Sequence, residues 1–254
     1  HAWGQTRNVM RSRLGSDPKR DAELDGAERP NGCEAVPMPA ATRSTDLFDR
    51  WSATYDSPTL QRLTYRPIHD AVLRRIDGSS PSTVLDLGCG TGQMTRRLRD
   101  RLPDATVIGL DLSTGMLAEA TDRLTTHDGR TPSLVRADAM RLPLADGSID
   151  LVVCTESFHW YPSQADALQE LARVLGPRGQ LLIASIATVT DVGHRLLRRA
   201  TSARGQTIRA LPPLRLRGLV TQAGFDVVCQ RRVPRPGPLA WPVLTDARVP
   251  GRAA

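Results

Sequence analysis

Nine residues constrain this chain more than any others: Val84 to Gly92, VLDLGCGTG. Val84, Leu85 and Leu87 suit a short buried strand, which Asp86 interrupts near its end. Glycines follow at alternate positions, Gly88, Gly90 and Gly92, and Gln93 to Leu102 then reads as a helix. Glycine lacks a Cβ, so the backbone can turn sharply there or approach a ligand closely. A strand feeding such a turn and then a helix aims free N–H groups at whatever lies above the sheet edge. The spacing argues against two common occupants. A dinucleotide fold wants G-x-G-x-x-G, and Gln93 stands where its third glycine would fall; G-x-x-x-x-G-K-[ST] is missing altogether. An acid two residues before the first glycine suits a cationic ligand better than a pyrophosphate.

The 254 residues are enough for one α/β domain with additions, and 40% apolar content supplies a core. No apolar run approaches the ~18 residues of a membrane span. The first residues, HAWGQTRNVMRSRLG, lack the apolar stretch of a secretory signal. Four cysteines, Cys33, Cys89, Cys154 and Cys229, lie far apart with no C-x-x-C. That argues against a zinc or other metal site and a disulfide framework, and for a reduced cytoplasm. The net charge of +7 invites a nucleic-acid reading, but its distribution opposes one. Residues 188–254 hold 12 basic and 3 acidic side chains, whereas residues 44–187, which carry the motifs, hold 15 and 18.

Residues 1–43 mix Gly, Pro and charge without periodicity and read as a disordered lead or an appended remnant. Residues 44–254 are expected to form the folded domain. Residues 44–76 read as helical, with Phe48, Trp51 and Tyr55 on one face and Pro67 near the start of a second helix. After the glycine turn, strands are expected at 105–110, 133–137, 150–154 and 179–187, with helices between them. Asp111 closes the second of these five strands, 19 residues beyond Gly92, where an acid can accept from ribose hydroxyls. Ser163 to Leu175 is amphipathic, and Arg178 occupies a turn that is strained if its φ is positive. Residues 188–213 are Arg-rich. Phe225–Val233 and Leu239–Val249 are expected as a tight antiparallel hairpin around PRPGP. The sum is a doubly wound, mostly parallel seven-stranded sheet with an antiparallel terminal hairpin.

The strings VLDLGCGTG, DLSTGMLAEA and DAMRLPLADGSID together resemble the class I S-adenosylmethionine-dependent methyltransferases. The segment FDRWSATYD resembles the lid of their small-molecule, ubiquinone- and menaquinone-type branch. The resemblance covers about residues 44–233, and it implies S-adenosylmethionine as cofactor. It implies Asp86 at the methionine amino end, Gly88 and Gly90 under the cofactor, and Asp111 on the ribose. Leu112 and Met116 would pack on adenine, Asp138 would accept from its amino group, and the Ala139 backbone would meet a ring nitrogen. Thr155 would touch the methionyl part, and Tyr55 is the lid residue expected to reach the cofactor. In this branch residues 188–213 would complete the lid.

His159, in TESFHW after the fourth strand, is the side chain there best suited to take a proton near neutral pH. The tetrapeptide [ND]-P-P-[YF] is missing, which weighs against exocyclic base amines as acceptors. The expected reaction is methyl transfer to O, C or N of a small molecule. Two alternatives stay open: a nucleoside-binding module without turnover, and an RNA or DNA methyltransferase.

Overall fold

Strands and helices alternate along the chain because apolar runs of four to seven residues are separated by amphipathic stretches. The computed structural model describes residues 47–50, 52, 56–58, 61–128, 132–203, 205–234 and 242–251. A π-helical turn, Gln61–Tyr65, leads into α1 (Arg66–Ile76). Then follow β1 (Thr83–Leu87), α2 (Gln93–Arg101), β2 (Thr106–Asp111), α3 (Thr114–Asp128), β3 (Ser133–Arg136) and β4 (Ile149–Thr155). The rest is α4 (Gln164–Val174), β5 (Leu175–Ile186), α5 (Asp191–Ser202), α6 (Pro213–Gln222), β6 (Asp226–Arg232) and β7 (Pro242–Arg248).

The seven strands lie in the order β3-β2-β1-β4-β5-β7-β6. The first five are parallel, and β7 runs antiparallel to both β5 and β6. The strand order reverses between β1 and β4, which places a crevice beyond their carboxyl ends. Central strands are buried on both faces, so their sequences are near-continuously apolar. On one face Leu85, Leu87, Val152 and Ile183 pack with Leu168 and Leu171 of α4 and Val220 of α6. On the other, Val84, Leu151, Val153 and Leu182 pack with Ile68 and Val72 of α1 and Met94 and Leu98 of α2. Each fully buried Leu or Val contributes about 1.5–3 kcal/mol relative to exposure, enough to fix the register of every central strand.

The antiparallel edge is tied to α1 by charge. Asp246 of β7 is fully buried, accepts from Gln180 Nε2 at 2.9 Å and pairs with Arg75 of α1. The hydrogen bond to Asp246 raises the Arg75 pKa further.

Several expectations shift in detail. The fifth strand begins at Leu175, four residues early, because residues 175–179 continue against β4 through a bulge between Ile149 and Leu151. Arg178 sits in that bulge with φ 63°, the left-handed conformation that strains a residue carrying a Cβ. Within the Arg-rich stretch 188–213, α5 is helical, the chain from 206 to 212 is irregular, and Pro213 opens α6. The last strand is Pro242–Arg248, and most of PRPGP lies outside the described residues, as do 1–46 and Tyr55.

Candidate active site

The glycine turn caps β1. Gly88 N and Cys89 N both donate to Leu110 O, at 2.7 and 3.0 Å, which folds the turn back over β2. Gly88 has φ 71°, and a Cβ there would lie 2.4 Å from Ser157 Oγ. Ser157, in the turn after β4, donates to Leu87 O at 3.0 Å, so its oxygen accepts from the Tyr161 hydroxyl at 3.1 Å. Cys154 Sγ lies 3.1 Å from the same oxygen. Burial pushes the Cys154 thiol up to about 11 and the Tyr161 hydroxyl well above its ordinary value, so this cluster stays neutral.

Two carboxylates stand close to the turn in different settings. Asp111, at the end of β2, accepts from Gly90 N at 2.8 Å through Oδ2 and from Ser113 N at 2.9 Å through Oδ1. Each oxygen keeps a second lone pair, and the residue lines the cavity described below. Burial raises its pKa against those N–H bonds. Asp86 shares the strand face of Val84, toward α2, because side chains alternate along β1. It is fully buried, accepts from Thr95 Oγ1 at 2.6 Å through Oδ2, and leaves Oδ1 without a hydrogen-bond partner. Burial first, with the charge of Asp111 adding to it, pushes its pKa to about 7. Asp86 therefore lies behind the turn and not on the cavity wall.

A cavity of about 370 Å³ opens at the crevice, within the ~300–1,000 Å³ range of small-ligand sites. Its floor brings together Gly88, Gly90, Asp111, Leu112 and Met116. Asp138, Ala139, Thr155 and His159 line it as well. Asp138 also accepts from Met140 N at 2.9 Å, closing a turn after β3. His159 is buried in the 3-10 turn Phe158–Trp160, with Nδ1 3.0 Å from Ser185 Oγ. Ser185 Oγ also lies 3.4 Å from Ile186 O, so the imidazole is seated against a short polar chain along β5.

The roof comes from four separated segments: Phe48, Trp160, Ile186 and Ile208. Phe48 meets Trp160 edge to face, with ring centroids 5.2 Å apart at 89°. Two carboxylates that sequence reading missed fasten the roof segment. Asp49 accepts from Ser113 Oγ and from Gly115 N (2.9 Å) at the amino end of α3, and the Ser113 bond lowers its pKa. Asp56 accepts from Thr91 Oγ1 and Gln93 Nε2, both at 3.0 Å, and pairs with Arg123. Their separation, seven residues or two helical turns, was the available signal.

The observations suit an adenosyl sulfonium ligand. A buried carboxylate oxygen without a hydrogen-bond partner lies behind the turn, a second carboxylate ends β2, and a Cβ-free turn lets a ligand approach. These features define a nucleoside-binding α/β enzyme of the methyltransferase type. The family described as "Methyltransferase domain" matches residues 85–183. The chain is 34% identical over 197 residues to a malonyl-[acyl-carrier protein] O-methyltransferase of Geobacter sulfurreducens, covering 72% of this chain and 70% of that one. It is 38% identical over 136 residues to a trans-aconitate 2-methyltransferase of Methylobacterium nodulans, covering 53% and 49%. Burkholderia thailandensis 1,6-didemethyltoxoflavin-N1-methyltransferase, solved with S-adenosylhomocysteine, superposes with TM-score 0.66 at 19% identity over 87% and 93%. The chain belongs to the S-adenosylmethionine-dependent methyltransferase family, with S-adenosylmethionine as cofactor. Among the described residues no helix is long and apolar enough to cross a membrane.

Proposed function

We propose that this enzyme transfers a methyl group to a carboxylate oxygen of a small-molecule or carrier-borne acceptor. One observation carries the reading: the polar floor around Asp111 runs directly into the chamber roofed by Phe48, Trp160, Ile186 and Ile208. The first two relatives support the acceptor class, since a malonyl group and trans-aconitate are both carboxylic acids. Nucleic acid is not the acceptor in this reading, because among the described residues no arginine or lysine lines the chamber.

In this assignment Asp111 accepts from the ribose hydroxyls, and Gly88 and Gly90 admit the methionyl end. Leu112 and Met116 pack on adenine, Asp138 accepts from its amino group and Ala139 N–H donates to the ring. Thr155 and Tyr55 are further cofactor contacts. Asp86, behind the floor, draws the ammonium end by charge, and that cation in turn favours its ionised form. The bound cofactor supplies an electrophilic methyl on sulfur. The chain's share is to align the acceptor and keep water out. An ionised carboxylate has no proton to lose, so its methylation needs no base; a hydroxyl acceptor would use His159 as base. Residues 44–76 and 188–213 act as the lid. We place the enzyme in the cytoplasm, in keeping with the free thiols Cys89, Cys154 and Cys229.

The test is methyl transfer from labelled cofactor to a panel of carboxylic acids, phenols, quinones and RNA. Carboxylates are expected to be methylated with a rate flat between pH 6 and 8. A rate rising through pH 6–7 on phenols alone would replace carboxylate by hydroxyl acceptors. Cofactor binding without transfer to any of them would return the chain to a binding module.

A further inference from the structure

A second cleft, of about 510 Å³, adjoins the transfer cavity. Pro162 borders both, and consecutive residues face opposite sides of the wall between them: Ile208 lines the transfer cavity and Arg209 the cleft. The wall is stiffened by hydrogen bonds to its backbone. Arg209 N donates to His159 O at 2.7 Å, and Gln164 Nε2 donates to Phe158 O and Arg209 O at 3.0 and 3.1 Å.

The cleft is lined by three guanidinium groups, Arg198 of α5, Arg209 and Arg215 of α6, and by His194. Among the described residues no carboxylate lines it. The first-turn acids of α4 and α5, Asp166 and Asp191, stand outside, and Asp191 pairs with Arg215 at 3.2 Å. Among the described residues neither Arg198 nor Arg209 has a carboxylate within salt-bridge distance. His194 donates from Nδ1 to Ala210 O at 2.8 Å, which directs its second nitrogen elsewhere. Burial and the charge of Arg198 both lower the Arg209 pKa. Three guanidiniums gathered with one carboxylate partner among them are stable only in water or around a further anion. Three guanidiniums exceed what one carboxylate neutralises and match the several oxygens of a phosphoryl group in paired N–H···O geometry.

We propose that this cleft is a phosphoryl-binding subsite that anchors the remote end of the methyl acceptor. The carboxylate to be methylated enters the transfer cavity past Pro162 and Ile208, while the phosphoryl group remains among Arg198, Arg209 and Arg215. The acceptor half of this inference rests on the methyltransferase reading of the adjoining cavity; the anion site itself does not. It also accounts for a cavity without cations serving an anionic acceptor: the attraction is exerted from next door.

Calorimetric titration of the whole chain, saturated with S-adenosylhomocysteine, tests this with phosphopantetheine against pantetheine, which differ by one phosphoryl group. At least tenfold tighter binding of phosphopantetheine is expected. The double variant Arg198→Ala/Arg209→Gln, which spares the backbone bonds of the wall, is expected to lose that preference while S-adenosylhomocysteine affinity stays within twofold. If the double variant fails to bind S-adenosylhomocysteine, the exposed single variant Arg198→Ala carries the test, with at least a threefold loss expected. Inorganic phosphate that competes in the wild type and not in the variant supports the site; phosphate matching phosphopantetheine in affinity overturns the acceptor half and leaves a free-phosphate site. Equal affinity for the two pantetheines, citrate binding as tightly as phosphopantetheine, or an unaltered variant overturns the phosphoryl assignment. Failure of S-adenosylhomocysteine to bind the wild type would instead strike the methyltransferase reading.

Discussion

The floor and the roof of the transfer cavity are built on different principles. The floor is made where strands end: Gly88 and Gly90 follow β1, Asp111 closes β2, and Asp138 and Ala139 follow β3. Its geometry is set by backbone N–H groups that the sheet itself positions, as in the paired bonds from Gly90 and Ser113 to Asp111. The roof gathers Phe48, Trp160, Ile186 and Ile208, which span 160 residues of chain, and holds them by side-chain packing. A floor tied to the sheet tolerates little change, whereas a roof of packed side chains can be altered without unfolding what lies beneath. On the proposed assignment, the floor carries cofactor identity and the roof carries acceptor identity.

Gly88→Ala should break the floor with the largest effect. A positive φ costs a residue with a Cβ about 1–2 kcal/mol, and the new atom collides with Ser157. S-adenosylhomocysteine binding by calorimetry should weaken by roughly a hundredfold or more, given ~1.4 kcal/mol per tenfold. Adding Ser157→Gly removes the collision and should return part of the loss; no return would mean the strain lies elsewhere.

Asp86→Asn should have a smaller effect that depends on pH. The folded pKa of about 7 lies above the ordinary 3.8, so the folded state holds the extra proton between those values. Wild-type stability therefore falls as pH rises through that window. The ligand-free variant should be more stable than wild type at pH 8, on the order of 1–2 kcal/mol by chemical denaturation, the difference closing toward pH 4. At pH 8 it should bind S-adenosylhomocysteine less tightly. A stability difference that ignores pH would show that Asp86 does not titrate in this range.

Trp160→Leu should do least to the floor. The Phe48–Trp160 pair contributes about 0.5–1.5 kcal/mol beyond area burial, so S-adenosylhomocysteine affinity should stay within about threefold. The relative rates on different acceptors should change instead. Equal losses on both readouts would erase the distinction between floor and roof.

The floor was legible in the sequence because its residues sit at fixed offsets from strands that apolar runs announce. Strand alternation accounts for the setting of Asp86: sharing a face with Val84 sends it toward Thr95 and behind the turn. The roof was half legible. Phe48 and Trp160 carried aromatic signals, but nothing local to Ile186 or Ile208 says that they meet. The roles of Asp49 and Asp56 had no local signal, because their partners, Ser113, Thr91 and Arg123, lie 35 to 67 residues away. The insertion of β7 between β5 and β6 has no local signature either, since pairing order is decided by what remains unpaired when the last strand arrives.

That insertion has a consequence for assembly. β6 pairs only with β7 among the described strands, so it has no neighbour until β7 docks. A nascent chain halted near residue 240 leaves β5 with a bare hydrogen-bonding margin and β6 without a berth. Until the final strand slides between them, the half-built sheet offers that margin to any other extended chain nearby, and its vulnerability to clumping ends only when synthesis passes Arg248.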